Sequence, residues 1–287
     1  MNKVKLNKFK EAFMKCIFIL AACVSILAIV IICVFLFASG IPTIGEIGIF
    51  KFLFGTEWRP GNGLYGILPM IIGSIYVTAG AILVGVPIGI LCAVYMSHFC
   101  NKKLYKILKP VIDLLAGIPS IIYGFVALSI IVPIMQNFKG NGQNIITASL
   151  LLGIMILPTI ISVTESSLRA VDKSYYDGAL ALGATHERSV FFTVLPAAKS
   201  GVLAGIILGI GRAIGETMAI SMIAGNQPII PSSLFSGVRT LTTHIVIELG
   251  YSEGLHRDAL IATAVVLFVF VLIINLCFSA LKRKEKK

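Results

Sequence analysis

From Cys16 to Ala38 the chain runs for 23 residues without a charge, and a helix needs about 20 apolar residues to cross the hydrocarbon of a bilayer. Runs of this kind recur at about 16–38, 68–96, 110–135, 145–165, 201–225 and 258–281, six segments whose fitting solvent is lipid. Hydrocarbon offers the backbone no hydrogen bonds, so each segment has to be a helix that satisfies its own amides. Composition agrees, since only 13% of the 287 residues are charged against roughly 25% in soluble domains. The expectation is an all-α integral membrane protein, a single domain over residues 1–287 with six transmembrane helices.

The connecting segments alternate in charge. Eighteen Lys and Arg lie before the first span, in 97–109, in 166–200 and after the last span, whereas five lie in the other three loops. By the positive-inside rule both termini are cytoplasmic. The formal charge of +11 then reflects orientation in a membrane, and no interleaving of aromatic and basic residues points to nucleic acid. Lys3, Lys5, Lys8, Lys10 and Lys15 before the first run, with Ala38-Ser39-Gly40 after it, resemble a cleavable leader. The run exceeds the roughly 7–15 residues of a signal core, which favours an uncleaved first helix. Trp58, Tyr65 and Tyr251 fit an outer interfacial belt.

The six cysteines show no CxxC spacing, and His98, His186, His244 and His256 form no ligand pair. Neither a disulfide framework nor a metal site is expected. Glycine and proline are frequent within the spans: Gly85, Pro87 and Gly89; Gly117, Pro119 and Gly124; Pro158; then Gly205, Gly209, Gly211 and Gly215. The pairs Gly205/Gly209 and Gly211/Gly215 have the small-xxx-small spacing that lets helix backbones approach closely. A packed bundle with bent helices is expected.

Arg212 and Glu216 lie inside the fifth span. A central Arg costs roughly 2.5–3.5 kcal/mol on insertion scales, so a partner, a cavity or a ligand has to offset it. The two residues are four apart, so they share one helix face, which should point into the bundle. Either Glu216 simply neutralises Arg212, or the pair lines a substrate path. A guanidinium fork suits a tetrahedral oxyanion. Glu216 could weaken the hold and accept a hydrogen bond from a protonated phosphate, a proton that sulfate lacks at neutral pH. Asp113, beside Lys109 and Pro110, reads as a structural residue in the first turn of the third span.

The basic loop 166–200 carries helix punctuation. Ser174 with Asp177 forms an S-x-x-D box that would start a helix at Tyr175. Gly183 can end that helix in a left-handed cap, Thr185 can start a second, and Pro196 closes the segment. Two ordered helices in a polar loop suggest that something rests on them, although an amphipathic helix on the membrane surface has the same pattern. The chain contains no G-x-x-x-x-G-K-[ST] sequence, so it has no phosphate-cradling loop for ATP.

The string Asp177-Gly178-Ala179, Gly183 and Leu195-Pro196 resembles the EAA loop of ABC importer permeases, with Asp177, Gly178 and Thr193 departing from the pattern's Glu, Ala and Ile. Gly211-Arg-Ala-Ile-Gly-Glu-Thr-Met-Ala219 with Ala224-Gly-Asn226, and Leu115-Ala-Gly-Ile-Pro-Ser-Ile-Ile-Tyr-Gly-Phe125, are similar to the phosphate-specific (Pst) permeases. Phe54-Gly-Thr-Glu-Trp58 resembles their C-type branch. The resemblance implies a type I (MetI-like) importer fold in a bacterial cell membrane, with Asp177, Gly178, Ala179, Gly183, Leu195 and Pro196 in a cytoplasmic coupling loop over 174–196. It implies that Arg212 and Glu216 are transport-critical. It also implies an A-type permease as heterodimer partner, an ATPase dimer that binds ATP and Mg, and an extracytoplasmic phosphate-binding protein. This chain would itself bind no cofactor and catalyse no reaction. The alternatives are the same fold carrying sulfate or molybdate, and an ion-coupled secondary transporter using Glu216, although such transporters often show internal repeats and none is seen. An intramembrane enzyme would need a base in reach of a nucleophile, and no His lies within the six segments.

Overall fold

The computed structural model describes residues 2–284, the side chains of 2–9, 12, 278, 279 and 281–284 excepted. Most basic residues of the two chain ends, counted above for orientation, therefore lie outside the described side chains. Helix α1 (Asn2–Ile47) is followed by α2 (Ile49–Phe54) and a two-stranded antiparallel hairpin, β1 (Trp58–Arg59) and β2 (Leu64–Tyr65). Then come α3 (Leu68–Val94, prolonged by the wide turn Tyr95–Phe99), α4 (Lys102–Gly117), α5 (Ser120–Gln136) and α6 (Ile145–Arg169). The chain continues through α7 (Lys173–Ala181), α8 (His186–Ala197), α9 (Lys199–Gly215), α10 (Met218–Ile223), α11 (Leu241–Leu249) and α12 (Gly254–Lys284).

Four of these helices, α1, α3, α6 and α12, are long and apolar enough to cross a bilayer unbroken. Two further apolar segments are bent pairs, which bring the crossings to six if each is one span: α4 and α5 meet at 96°, and α8 and α9 at 71°. The single helix expected over 110–135 is thus broken. Pro119 lacks an amide and disfavours the helical conformation at the residue before it, and Ile118 is extended (φ −68°, ψ 127°). The helix expected over 201–225 is broken too, ending at Gly215 with Glu216 extended (φ −70°, ψ 129°). Asp113 lies well inside α4, not in a first turn, and forms an i,i+4 ion pair with Lys109 at 3.2 Å.

Helix α6 is the centre of the bundle. Helices α3 and α9 lie against it through glycines, because any side chain there would collide. A Cβ at Gly85 would come 2.8 Å from the Gly153 carbonyl oxygen, and one at Gly209 would come 2.9 Å from Ile160 Cγ1. The expected Gly205/Gly209 pair therefore packs, whereas Gly211 and Gly215 have nothing within 4 Å. Three apolar clusters stack along the bundle. Met96, Ile161, Leu168 and Val194 form one end, Ala81, Leu152, Ile156 and Ile220 the middle, and Phe52, Trp58, Met70 and Leu260 the other end. We call the first the basic side, after loops 97–109 and 166–200, and the last the far side.

The apolar side chains of α1, among them Phe18, Leu20 and Ile29, are exposed, as suits a helix solvated by lipid. It joins the bundle towards its far end, where Phe37 meets Phe268 edge-on at 5.7 Å. Trp58 and Tyr65, expected in an interfacial belt, are instead buried at 6% and 8% exposure, because the indole N–H donates to Glu248. Tyr251 is exposed.

Candidate functional site

Gly209 lies against Ile156 and Ile160 of α6, near the midpoint of a helix running from 145 to 169. One turn further on, Arg212 is therefore close to mid-depth. Its side chain is half-buried and has no hydrogen-bond or ion-pair partner among the described residues. The helix stops before Glu216 can share its face. Glu216 Oε1 accepts from the Ala219 amide at 3.1 Å, capping the start of α10, and Thr217 Oγ1 donates to the Gly215 carbonyl at 3.2 Å. The Arg212–Glu216 pair expected on one helix face is thus replaced by a lone guanidinium and a carboxylate that serves as a helix cap. Gly211 and Gly215 flank Arg212 with open space.

The other broken crossing comes to the same place. Gly124 of α5 packs against Ala219 and Met222 of α10, and Tyr123 lies within electrostatic reach of Arg212. The Tyr123 hydroxyl donates to the Leu115 carbonyl at 2.9 Å, spanning the elbow at Ile118–Pro119. The helices that follow the two breaks therefore pack against each other close to Arg212, near mid-depth. Irregular backbone at that depth is tolerated where it is buried in protein or lines a cavity, and discontinuous helices offer free amides and carbonyls to a polar solute.

The segment after α10 holds this arrangement from the far side. Gln143 Nε2 donates to the Met222 carbonyl at 3.0 Å. Gly225 (φ 84°) and Asn226 (φ 50°) turn the chain back in left-handed conformations, and the Val238 amide donates to the Ala224 carbonyl at 2.8 Å. Thr242 Oγ1 then donates to the Glu216 carbonyl at 3.0 Å. Tyr123 lies in the string 115–125 singled out above without being picked as a site residue, whereas Gln143 and Thr242 act here although their sequence positions alone gave no sign of it.

On the basic side, α7 begins at Lys173 and not at Tyr175, because the Asp172 carboxylate takes the Ser174 amide at 2.8 Å. That backbone hydrogen bond, followed by one from the Ser174 side chain, holds the Asp172 carboxyl below the usual carboxylate range. Gly183 adopts the expected left-handed cap (φ 84°), and Thr185 caps α8 through the Arg188 amide at 3.3 Å. Asp177, Gly178 and Ala179 lie on α7, with Gly183 just beyond its end, while Leu195 and Pro196 close α8. Tyr175, Leu180 and Leu182 are exposed apolar side chains on this protrusion, Leu182 at 91%. The Tyr176 hydroxyl hydrogen-bonds His186 Nδ1 at 2.6 Å, and His186 meets Phe99 at the end of α3 with rings 4.6 Å apart. The protrusion is therefore tied to the span α3 and to its own second helix.

Beside it, Glu165 is almost fully buried. It accepts from Tyr105 at 3.0 Å, pairs with Arg169 and has Lys109 at 3.9 Å. Arg169 also donates to the Met96 carbonyl at 3.0 Å, so three helices are joined at the basic end. Among the described residues no His, Cys, Asp and Glu group has the arrangement of a metal site.

Residues 85–286 match the family of binding-protein-dependent transport system inner membrane components. The chain is 35% identical over 271 residues to the probable ABC transporter permease protein YqgH of Bacillus subtilis, covering 90% of this chain and 88% of that one. It is 33% identical to the phosphate transport system permease protein PstC of Mesorhizobium japonicum, covering 83% and 80%, and 34% identical to PstC of Haemophilus influenzae, covering 76% of each. Its fold is similar to the inward-facing MetNI methionine ABC transporter (TM-score 0.63, 19% identity, 79% of this chain and 99% of that one). It is also similar to a bacterial alginate-importing ABC transporter (TM-score 0.61, 16% identity, 93% and 96%).

Proposed function

This chain belongs to the family of binding-protein-dependent transport system inner membrane components, and we propose that it is the C-type permease subunit of an ATP-driven importer of inorganic phosphate. The PstC relatives, alike over most of the chain, support the substrate. The observation that carries the site is Arg212, a guanidinium near mid-depth with no hydrogen-bond or ion-pair partner among the described residues, beside the helix break at Gly215. An unopposed charge there is costly, and a passing phosphate offsets the cost transiently. Its oxygens accept from the guanidinium fork, while the helix breaks offer further polar backbone. Glu216 stands next along the path, and its second carboxylate oxygen can accept from a protonated phosphate.

The chain contributes the path and no reaction. ATP and Mg belong to a separate ATPase dimer, which rests on α7 and α8 around Asp177, Gly178, Ala179, Gly183, Leu195 and Pro196. Both termini and these helices face the cytoplasm. The far side receives phosphate from an extracytoplasmic binding protein, and an A-type permease completes the pore. ATPase closure moves α7 and α8, and the ties from His186 to Phe99 and from Arg169 to Met96 carry that movement into α3 and α6. The path then alternates in access around Arg212.

Reconstitution of the full complex in proteoliposomes tests this. Labelled phosphate enters only with ATP and phosphate-binding protein, and excess sulfate or molybdate leaves uptake unchanged. Uptake without ATP, or uptake abolished by sulfate, contradicts the proposal.

A further inference from the structure

The densest group of buried polar side chains outside the Arg212 region lies at the far side, and the path described above does not use it. The carboxylate of Glu248, 7% exposed, accepts from Trp58 Nε1 at 2.6 Å, from Arg239 Nη1 at 2.5 Å and from His256 Nε2 at 2.8 Å. Arg239 Nη1 also reaches His244 Nδ1 at 3.4 Å, and Arg239 Nε donates to the Asn226 carbonyl at 3.1 Å. The partners come from hairpin strand β1, the turn after α10, helix α11 and the start of α12. A buried carboxylate is tolerated when its oxygens are this fully paired, and such a network holds one arrangement of the elements that supply it.

The opposite end of α11 is fixed as firmly. Thr240 and Thr243 form a reciprocal capping box, the Leu241 amide donates to Ser74 Oγ of α3 at 2.9 Å, and Thr242 holds the Glu216 carbonyl at 3.0 Å. A helix of nine residues, about 13 Å long at 1.5 Å per residue, thus runs from the Glu248 centre to the peptide at which α9 breaks. Trp58 also lies edge-on to Tyr65 at 5.6 Å. Tyr65 lines an open groove of ≈ 580 Å³ on the far surface together with Glu46, Lys51 and Glu57. A continuous set of contacts therefore joins that surface to Glu216.

We propose that Trp58 and Glu248 are positioning residues for the solute path. Through α11 they set where the Glu216 carbonyl stands, so that contact of a solute-delivering protein with the far side is felt at the helix break beside Arg212. This rests on the importer reading, and it adds residues and a route that the reading does not contain.

The test measures ATPase activity of the reconstituted full complex, with and without phosphate-loaded binding protein. Trp58→Phe keeps an aromatic ring beside His244 and Tyr65, and removes the N–H that Glu248 accepts together with part of the indole's volume. It is expected to lower the melting temperature modestly, to leave basal ATPase of the assembled complex unchanged, and to reduce stimulation about threefold or more. Glu248→Gln, which leaves Arg239 without a counter-charge, is expected to reduce it further. Thr242→Val, at the other end of α11, is expected to reduce stimulation as well, and the double variant with Trp58→Phe to be no worse than the weaker single one. Full stimulation in both far-side variants overturns the inference. So does an equal fall of basal and stimulated activity, which marks a structural role only, and so does an additive double variant. A wild-type complex that phosphate-loaded binding protein does not stimulate overturns the importer reading and this inference with it; a stimulated wild type with unaffected variants overturns this inference alone.

Discussion

Glu216 gives its carboxylate to the backbone amide of Ala219 at 3.1 Å, and Arg212, four residues earlier, has no partner among the described residues. On an unbroken helix the two would lie on one face and could neutralise each other. The break at Gly215 assigns the acid to a structural task and leaves the base available. A fixed positive charge near mid-depth is what a dehydrating oxyanion needs and what lipid does not tolerate.

Glu216→Gln keeps an oxygen for the Ala219 amide and removes the charge. The complex should assemble and melt as the wild type does, while discrimination between phosphate and sulfate declines, measured by competition in uptake. Glu216→Ala removes the cap as well and should also lower stability by about 1 kcal/mol. Unchanged phosphate uptake and sulfate exclusion in Glu216→Gln would remove Glu216 from the selectivity mechanism.

Gly209→Val puts a branched side chain where a Cβ alone would meet Ile160 at 2.9 Å. Overpacking of this kind costs about 1–3 kcal/mol, so the melting temperature in detergent should fall clearly. The same change at Gly211, which has open space around it, should leave the melting temperature near wild type.

Glu165→Ala takes the carboxylate from Arg169 and the acceptor from Tyr105 at the basic end, while Lys109 keeps Asp113 at 3.2 Å. Breaking a buried pair typically costs about 3–5 kcal/mol, and Arg169 is 45% exposed, so solvent reduces the figure here to the order of 1–2 kcal/mol. Thermal melts should register this, and Glu165→Gln, which can still accept from Tyr105, should lose less.

Acid should loosen the far side first. Burial, acting against the nearby Glu248, lowers the pKa of His244 from 6.5 to about 3. Below 6.5 the unfolded chain takes up a proton that the folded chain refuses, so stability falls with pH by up to about 1.4 kcal/mol per unit. Burial alone would raise the Glu248 carboxyl, but its hydrogen bonds to His256 and Trp58 and the charge of Arg239 outweigh it and hold it below the ordinary 4.5. Its contribution is therefore complete above the ordinary carboxylate range and lost as pH falls through its lowered value. Melts between pH 7.5 and pH 5 should show a decline governed by His244, and His244→Asn should flatten it.

The apolar lengths of the spans were legible because a helix in lipid has to be about 20 residues long, and the caps at Gly183 and Thr185 because each depends on one residue's local chemistry. Helix α7 starts two residues before the expected Tyr175, since Asp172 and not Ser174 is its cap and accepts from the Ser174 amide. Pro119 and Gly215 were both visible, yet glycine and proline in a span more often serve packing or a mild bend than a full break. Only the contact of Gly124 with Ala219 reveals that the helices after the two breaks pack together. The Glu248 centre was illegible for a simpler reason: Trp58 and Glu248 are 190 residues apart, and four scattered histidines carry no sign that two of them converge on one carboxylate.

The central claim is that phosphate passes the Arg212 guanidinium. The direct measurement is ATP-driven uptake of labelled phosphate by complexes carrying Arg212→Ala and Arg212→Lys, with subunit assembly and basal ATPase confirmed for each. Loss of a charge-assisted contact of about 1.5–3 kcal/mol corresponds to a fall in uptake of at least tenfold in Arg212→Ala, with Arg212→Lys intermediate because it keeps the charge without the fork. Uptake at the wild-type rate in an assembled Arg212→Ala complex would contradict the account.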